Sequence, residues 1–270
     1  MVEEMKHDMA MQRPANGGTA AREDCDCGLR RVPLGMVQKT MAKRMVKSAR
    51  EIPQFSVSRE LDADALAARR ARVNADIDDE TRRVSVTALL IWLTAGALVR
   101  HPRMNSQFDE DAAIQHDHVN MAVAMDTPYG LVAPVIHRAE ELSAEETAVA
   151  LSELAARAME KRLAMNDFSD ATFTISNLGM FEVSSFVPMV NPPQGAIMGV
   201  GAPRVAVRIA EEDELVPTDK IGPKAATRLL EEGRLIPARA TEVTVTADHR
   251  ILDGAEVARF LQTLAESIEE

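Results

Sequence analysis

The sequence predicts an α/β or α+β fold with a mixed β-sheet. Helical and strand patterns alternate along the chain, which is typical of these classes. Apolar residues make up 46% of the 270 residues, and aromatic residues only 3%. We therefore expect a packed core built from Ala, Val, Leu, Ile and Met, in one large domain or two small ones.

Residues 1–30 have no hydrophobic periodicity and mix Met, Gly, Asp and Glu, so we expect a flexible N-terminal arm or linker. This arm has no apolar signal region, and its early acidic residues do not resemble a transit peptide. Cys25 and Cys27 have no second Cys or His pair nearby, which makes a zinc site or a disulfide framework a poor explanation. We expect one folded domain over residues 31–270 and no metal site.

The regular part of the chain begins with a predicted helix over residues 36–49 and a predicted strand over residues 54–61. The apolar side chains of that strand fall on one face: Phe55, Val57 and Leu61. This alternation indicates a strand with one face against the core.

A buried helix is predicted next. Asp62 or Asp64 can cap the helix that follows the strand. The longest apolar run of the chain, residues 84–99, is 16 residues long, whereas a membrane-spanning helix needs about 20. Ser85 and Thr87 make the run still less lipid-like, so we expect a buried core helix rather than a membrane span.

The middle of the chain predicts a β-hairpin and a capped helix. Two short apolar runs, residues 120–125 and 131–136, are joined by the turn-rich sequence D-T-P-Y-G. Ser143 and Glu146 form an S-x-x-E capping box, so we expect a helix from there to about Leu163.

The C-terminal third predicts four strands, a charged irregular segment and a final helix. The strands cover residues 172–176, 195–200, 205–209 and 242–249. The irregular segment covers residues 211–238, with a short helix near 225–232. The last helix has an apolar stripe formed by Val257, Phe260, Leu261, Leu264 and Ile268.

The charge of the chain restricts the class of partner. A net charge of -11 argues against a nucleic-acid-binding protein, which would show a basic face, and favours a soluble cytoplasmic protein. Phosphate-binding glycine loops, H-E-x-x-H, a G-x-S-x-G elbow and paired zinc ligands are absent from the sequence. We expect neither nucleic acid nor a membrane as a partner.

The sequence D-H-R-I-L-D-G at residues 248–254 contains the first candidate for catalysis. We expect His249 to be the last residue of a strand, on its apolar face and partly desolvated, which favours the neutral imidazole of a general base. Asp253 can organise the loop that holds the histidine. The alternative is a packed histidine without a catalytic role, followed by an ordinary helix N-cap formed by Asp253 and Glu256.

The second candidate is the sequence T-F-T-I-S-N-L-G at residues 172–179. Thr174 and Ser176 share one face of the predicted strand, and a hydroxyl at a strand end is well placed to donate a hydrogen bond to an oxyanion. Asn177 and Gly179 complete this neighbourhood. In the alternative interpretation, Ser176 and Asn177 only close the turn by local hydrogen bonds.

Taken together and in order, several segments resemble one family. They are V-P-L-G-M at 32–36 with M-A-K-R-M at 41–45, Q-F-S-V-S at 54–58, D-T-P-Y-G-L-V-A-P-V at 126–135, T-F-T-I-S-N-L-G at 172–179, V-N-P-P-Q-G-A-I-M-G-V-G at 190–201 and D-H-R-I-L-D-G at 248–254. Over about residues 31–264 the chain is similar to the catalytic domain of the dihydrolipoamide acyltransferase component of 2-oxo acid dehydrogenase complexes. The resemblance implies a chloramphenicol-acetyltransferase-like fold, an α+β two-layer sandwich with a mixed β-sheet and flanking helices.

The resemblance also implies a reaction. His249 would take the proton from the attacking thiol of coenzyme A or dihydrolipoamide, and Ser176 would donate a hydrogen bond to the oxyanion of the tetrahedral intermediate. Asp253 would hold the active-site loop by pairing with an arginine, for which Arg44 is the candidate. The family forms its active site between the subunits of a homotrimer, and coenzyme A or acyl-coenzyme A is a substrate.

Four departures from the family pattern qualify the resemblance. No lipoyl-domain motif or peripheral-subunit-binding domain is found, so we expect the lipoyl group to come from another protein. The apolar segment that locks trimers into cages is not found after the last helix, so we expect a trimer. Residues 211–238 exceed the usual connection and would decorate the surface, or cover an entrance or an inter-trimer surface. Phe181, Glu182 and Val183 replace the usual glycine pair.

Three functions are open from the sequence. The first is acyl transfer between dihydrolipoyl and coenzyme A thiols. The second is a stand-alone acyl-coenzyme A transferase with a different acceptor, and the third is a non-catalytic scaffold of a dehydrogenase complex. The D-T-P-Y-G-L-V hairpin favours the first, and the presence of His249, Ser176 and Asp253 argues against the scaffold.

Overall fold

The computed structural model describes residues 30–209, 214–216 and 222–270. A compact unit runs from Gly35 to Glu270. The expected arm at residues 1–30, with both cysteines, lies outside the described residues except for its last residue. In the described part of the chain, no helix is long and apolar enough to cross a membrane.

Helices and strands interleave as the sequence predicts. In chain order they are α1 (Met36–Glu51), β1 (Gln54–Asp62), α2 (Ala63–Val73), α3 (Val86–Arg100), β2 (Ser106–Asp109), β3 (Ala112–Gln115), β4 (Met121–Val123), β5 (Val135–Ile136), α4 (Ala144–Met159), β6 (Phe173–Asn177), β7 (Ala196–Val200), β8 (Arg204–Ile209), β9 (Glu214–Val216), α5 (Pro223–Glu231), β10 (Leu235–Asp248) and α6 (Gly254–Glu269).

Eight strands form one mixed sheet, in the order β5-β4-β6-β7-β10-β8-β9, with β1 paired to β10. The neighbours β4, β6 and β7 are parallel, and the other pairs are antiparallel. The long strand β10 pairs with β8 through its first half and with β7 and β1 through its second half. Its alternating Val and Thr residues from 243 to 246 favour an extended strand. The mixed sheet is confirmed.

One face of the sheet packs on the helices. Phe173 and Ile175 of β6 and Val243 and Val245 of β10 are fully buried in one core with the side chains of α3. Helix α3 itself packs against α2, α4 and α6. The apolar run that is too short for a membrane span is therefore a core helix, and the α+β two-layer sandwich is confirmed.

The other face of the sheet carries hydroxyl groups. Two pairs join β1 to β10 across this face, Ser56 with Thr246 at 2.9 Å and Ser58 with Thr244 at 2.7 Å. The segment that precedes β7 crosses part of the same face. A Cβ atom on Gly199 would lie 2.8 Å from the ring of Phe186, so a side chain at this position would force the crossing segment to shift.

The predicted helix caps are present, but helix α4 is shorter than predicted. Asp62 accepts hydrogen bonds from the N–H groups of the next helix, and Ser143 and Glu146 form the reciprocal capping box of α4. The prediction that this helix reaches Leu163 is wrong, since it ends at Met159. The cause is Lys161, whose φ of 57° is left-handed and cannot continue a right-handed helix.

The prediction of an irregular segment over residues 211–238 is wrong in part. Strand β9 and the first four residues of β10 lie in this range, and the predicted short helix is present as α5. The strand pattern is hidden because Pro237 and Arg239 interrupt the apolar alternation. Pairing with β8 holds this stretch extended despite its composition.

Candidate functional site

The candidate histidine lies in the turn that follows β10. The carbonyl oxygen of Asp248 accepts hydrogen bonds from the N–H groups of Ile251 and Leu252, at 3.2 and 3.0 Å, and this turn ends the strand. His249 is therefore the first residue of the turn. The expectation that it is the last residue of the strand is wrong by one position. The N–H of His249 still donates to the carbonyl oxygen of Pro53 at 2.9 Å, which ties it to the start of β1.

The side chain of His249 is exposed in the single subunit. The expectation of a partly desolvated imidazole is wrong for one chain, because the residue stands beyond the edge of the apolar face. Its ring contacts that of Phe55, with 4.4 Å between centroids and 41° between planes. Within the described residues, neither ring nitrogen has a hydrogen-bond partner. Both are therefore available to a substrate.

The two residues on either side of His249 in the sequence, Asp248 and Arg250, form an ion pair. The carboxylate of Asp248 is 2% exposed and accepts hydrogen bonds from the backbone N–H of Arg250 and from its guanidinium, the shortest at 2.6 Å. The guanidinium also lies 3.9 Å from the ring centre of Phe108. The hydrogen bond to Asp248 raises the pKa of Arg250 above its usual value.

The sequence analysis did not predict this group of Asp248, Arg250 and Phe108. The i, i+2 spacing of Asp248 and Arg250 was a visible signal, because it can place the two side chains together around His249. Nothing local could reveal the third member, Phe108, which is far away in the chain. The hydrogen bonds from Arg250 to Asp248 fix the backbone of the turn that carries His249.

Asp253 acts as a helix cap. Its carboxylate accepts a hydrogen bond of 2.8 Å from the N–H of Glu256, and Glu256 reaches back to the N–H of Asp253. The hydrogen bond from Glu256 holds the pKa of Asp253 below its usual value. The capping alternative is therefore correct.

Within one subunit, Arg44 does not pair with Asp253. No ion pair joins the two side chains in the part of the chain that the structure describes, and Arg44 lines a cavity instead. Arg103 holds the loop: its guanidinium donates to the carbonyl oxygen of Ile251 at 2.7 Å and pairs with Glu256 at 3.0 Å. An arginine therefore does hold the loop, but it is Arg103, from the turn after α3. Its carboxylate partner is Glu256 in the first turn of α6 and not Asp253.

Thr174 and Ser176 lie on the hydroxyl face of the sheet, as predicted, because Phe173 and Ile175 alternate with them toward the core. The Thr174 hydroxyl is buried and donates to the Gln194 side-chain oxygen at 2.5 Å. Ser176 is half-buried, and no hydrogen bond engages its hydroxyl among the described residues. Of the two, only Ser176 has a hydroxyl that is available to a reaction.

Asn177 and Gly179 shape the turn after β6. The Asn177 side chain donates to the Thr87 hydroxyl at 3.0 Å and accepts the N–H of Gly179 at 2.8 Å. A Cβ atom on Gly179 would lie 3.1 Å from the carbonyl oxygen of Gly201. The turn-closing alternative is therefore correct for Asn177. Glu182, in place of the usual glycine, adopts a left-handed φ of 59°.

Ser176 and His249 lie at different ends of the sheet within one subunit. Ser176 is opposite Gly199 on β7, and Gly199 is opposite Thr244 on β10. His249 stands five residues beyond Thr244, about 17 Å along the strand, and two strand spacings add about 10 Å sideways. The two side chains are therefore on the order of 20 Å apart, too far to act on one substrate atom.

A polar cavity of about 500 Å³ opens where β4, β6 and β7 begin. Its walls include Arg44, Gln107, His116, Asn120, Thr172 and Gln194. Burial lowers the pKa of His116. The cavity lies at the end of the sheet where the Asp248 N–H pairs with Gly195, the residue after Gln194.

One group of possible metal ligands is present among the described residues, His118, Glu140 and Glu141. His118 hydrogen-bonds Glu140 at 2.9 Å, and Arg138 pairs with Glu141. These internal pairs account for the grouping, and the cluster gives no sign of a metal centre.

Comparison with known proteins identifies the architecture around these residues. A family model described as 2-oxoacid dehydrogenases acyltransferase (catalytic domain) matches residues 28–270. The chain is 33% identical over 241 residues to the dihydrolipoyllysine-residue acetyltransferase component of the pyruvate dehydrogenase complex of Rickettsia felis, covering 89% of this chain and 53% of that protein. The chain spans about half the length of the curated relatives that it matches.

Two solved structures extend the comparison. The cubic core of the pyruvate dehydrogenase multienzyme complex has a TM-score of 0.77 and 26% identity, with 96% of this chain and 97% of that chain covered. The dihydrolipoamide acetyltransferase of Azotobacter vinelandii has a TM-score of 0.76 and 27% identity, with 90% and 92% covered. That enzyme was studied for the role of a serine, a histidine and an asparagine in its mechanism, the asparagine four residues after the histidine.

Proposed function

Because the chain belongs to the family of 2-oxo acid dehydrogenase acyltransferase catalytic domains, we propose that it moves an acyl group between the thiols of a dihydrolipoyl group and coenzyme A. The observation that carries the proposal is the state of two side chains. In the described structure, the imidazole of His249 and the hydroxyl of Ser176 both lack protein partners. Each is therefore free to bind a reacting group.

His249 is the general base in this proposal. A ring nitrogen accepts the proton of the attacking thiol, and the resulting sulfur attacks the carbonyl carbon of the acyl thioester. The C–S bond forms as the carbonyl oxygen takes up the electron pair. When the intermediate collapses, the other thiolate leaves and takes the proton back from the imidazolium. The reactants are one thioester and one thiol, and the products are again one thioester and one thiol.

Ser176 is the oxyanion donor. Its hydroxyl stands at the end of β6, and a hydrogen bond from it stabilises the charge that develops on the carbonyl oxygen. The serine and histidine studied in the Azotobacter enzyme support this pair of roles. In that enzyme an asparagine stands where the spacing places Asp253, which supports capping rather than charge as the function of this position.

The active site is built from two subunits. A separation on the order of 20 Å prevents Ser176 and His249 of one chain from meeting at one thioester, so the serine of a neighbouring subunit must complete the site. Such an asymmetric contact repeats around a closed ring. A cubic assembly contains threefold axes, so the likeness to the cubic core supports a homotrimer.

The partners follow from this arrangement. Coenzyme A, or acyl-coenzyme A in the reverse direction, is one substrate. The lipoyl group is the other substrate, and it is presented by a lipoyl domain. No step in this mechanism uses a metal.

A thiol-release assay tests the proposal. The protein is mixed with acetyl-, propionyl- or longer acyl-coenzyme A, with dihydrolipoamide as acceptor, and free coenzyme A is measured. We expect release with one chain length, and His249→Ala should lower it by about a hundredfold or more. The matched control is His137→Ala, which removes a histidine bonded to the carbonyl oxygen of Asn166 and should leave the rate unchanged.

The same assay separates the other functions. Release from acyl-coenzyme A that depends on a different acceptor would point to a stand-alone transferase. No release with any donor would contradict the proposal and favour a scaffold.

A further inference from the structure

A histidine that acts as a general base needs a group that fixes the direction of its ring. A carboxylate often does this by accepting a hydrogen bond from the second ring nitrogen. The two aspartates near His249 in sequence, at positions 248 and 253, are engaged elsewhere. Asp248 is bound by Arg250, and Asp253 accepts the N–H of Glu256.

Strand β1 and the residue that precedes it each make one contact to His249. The carbonyl oxygen of Pro53 accepts the backbone N–H of His249 at 2.9 Å. Two residues later, the ring of Phe55 lies 4.4 Å from the imidazole, centroid to centroid. The first contact places the backbone of the histidine, and the second places its ring.

Phe55 is itself held in place. It lies opposite Ala247 in the β1–β10 ladder and packs against the main core. An aromatic ring anchored in this way packs at a tilt of 41° against the imidazole. It thereby restricts the side-chain rotation of a histidine whose ring nitrogens have no hydrogen-bond partner in the described structure.

We propose that Phe55 is a positioning residue for His249, and that the base is oriented by an aromatic ring instead of a carboxylate. This inference rests on the proposed function of His249. A ring contact leaves both nitrogens free, one for the thiol and one for the groups of a neighbouring subunit. It also adds no charge that would favour one protonation state during the proton transfer.

Three variants test the proposal. Phe55→Leu keeps an apolar side chain on the core but removes the ring. Phe55→Tyr keeps the ring. The matched control Val57→Ala shortens the next side chain on the same face, which lies opposite Val245 and away from the turn. All three variants are compared with the wild type at a protein concentration at which the four proteins have the same oligomeric state, measured as the molecular mass in solution.

We expect Phe55→Leu to lower kcat by about tenfold or more, because a small displacement of a catalytic group is costly, with KM changed less than about twofold. Phe55→Tyr should retain most of kcat, and Val57→Ala should match the wild type. A merely structural role would instead make Phe55→Leu and Val57→Ala alike, or would leave Phe55→Tyr as impaired as Phe55→Leu. Either result overturns the proposal.

A second readout does not require transfer activity. Diethyl pyrocarbonate modifies exposed imidazoles, and the modified peptide can be followed by mass spectrometry. The rate at His249 should rise above the wild-type rate in Phe55→Leu, and it should stay at the wild-type rate in Phe55→Tyr and in Val57→Ala. Equal rates in all four proteins would overturn the positioning role. An inactive wild type with this order of rates would overturn the proposed function alone.

Discussion

The carboxylate of Asp253 accepts a hydrogen bond of 2.8 Å from the backbone N–H of Glu256, and the Glu256 carboxylate accepts the N–H of Asp253 at 3.1 Å. These two bonds close the first turn of α6, directly after the turn that carries His249. Position 253 therefore fixes where the helix starts, and the helix start fixes the end of the catalytic turn.

The role of Asp253 as a helix cap predicts the effect of substitutions at position 253. Asp253→Asn should keep transfer activity and stability close to wild type, because asparagine is an equally good cap. Asp253→Ala should lower the thermal unfolding midpoint, measured by circular dichroism. The control is Asp111→Ala, an exposed aspartate in the β2–β3 turn. If Asp253→Asn were as inactive as His249→Ala, a charged role would replace the cap.

The pKa of Asp253 predicts a pH dependence. The folded-state pKa is lowered from 3.8, so the ionised carboxylate stabilises the fold. This contribution is complete above 3.8 and is lost as the pH falls through the lower, folded-state pKa. The midpoint of the wild type should therefore fall relative to that of Asp253→Asn when the pH is lowered from about 5 to about 3. A constant difference would contradict the assignment.

Thr174 and Gln194 form a buried hydrogen bond that joins β6 to the segment before β7. Thr174→Val keeps the shape but leaves the Gln194 oxygen without a donor. The free energy of unfolding should fall by about 1–3 kcal/mol, measured as the urea midpoint at constant m-value. Paired with Gln194→Leu, the double variant should lose less than the sum of the two single variants, and strict additivity would argue against the bond.

Gly195 leaves no room for a side chain beside the catalytic turn. A Cβ atom there would lie 2.5 Å from the carbonyl oxygen of Ser106 and 2.8 Å from the Cδ1 atom of Ile251. Gly195→Ala should lower the free energy of unfolding by about 1–3 kcal/mol and reduce kcat, because it displaces the turn. Gly222→Ala, where a Cβ atom meets no atom of the described residues within 4 Å, serves as the control. Equal stability of both variants would refute the close approach.

Glu182 has a left-handed backbone that favours glycine. Glu182→Gly removes the cost of a side chain at a φ of 59°, and the flexibility of glycine offsets part of the gain. The expected net change is an increase of about 0.5–1 kcal/mol in the free energy of unfolding. Glu182→Ala keeps the backbone cost and should be neutral, so a gain of the same size there would point to charge instead.

Local patterns predicted most of the fold. Alternation identified β1 and β10, and short polar signals identified the caps at Asp62, Ser143 and Asp253. These features depend on neighbours within about four residues, which a sequence displays directly. The position of Ser176 near the end of β6 was predicted for the same reason, whereas His249 lies one residue beyond the end of β10.

Features that depend on distant partners could not be predicted. The ring of Phe108 under Arg250 and the bond from Arg103 to Ile251 join segments far apart in the chain. The exposure of His249 follows from where the turn begins, and β9 follows from pairing with β8. The separation of Ser176 from His249 became visible only when the register of three strands was known.

A site shared between subunits is the central claim, and mixed trimers test it most directly. His249→Ala and Ser176→Ala chains carrying different tags are co-expressed, and trimers with both tags are purified. In a ring, every such trimer has one junction where an intact histidine meets an intact serine. The account predicts about a third of wild-type turnover from two nearly inactive variants. Turnover no higher than that of the variants alone would contradict it and place each site within one subunit.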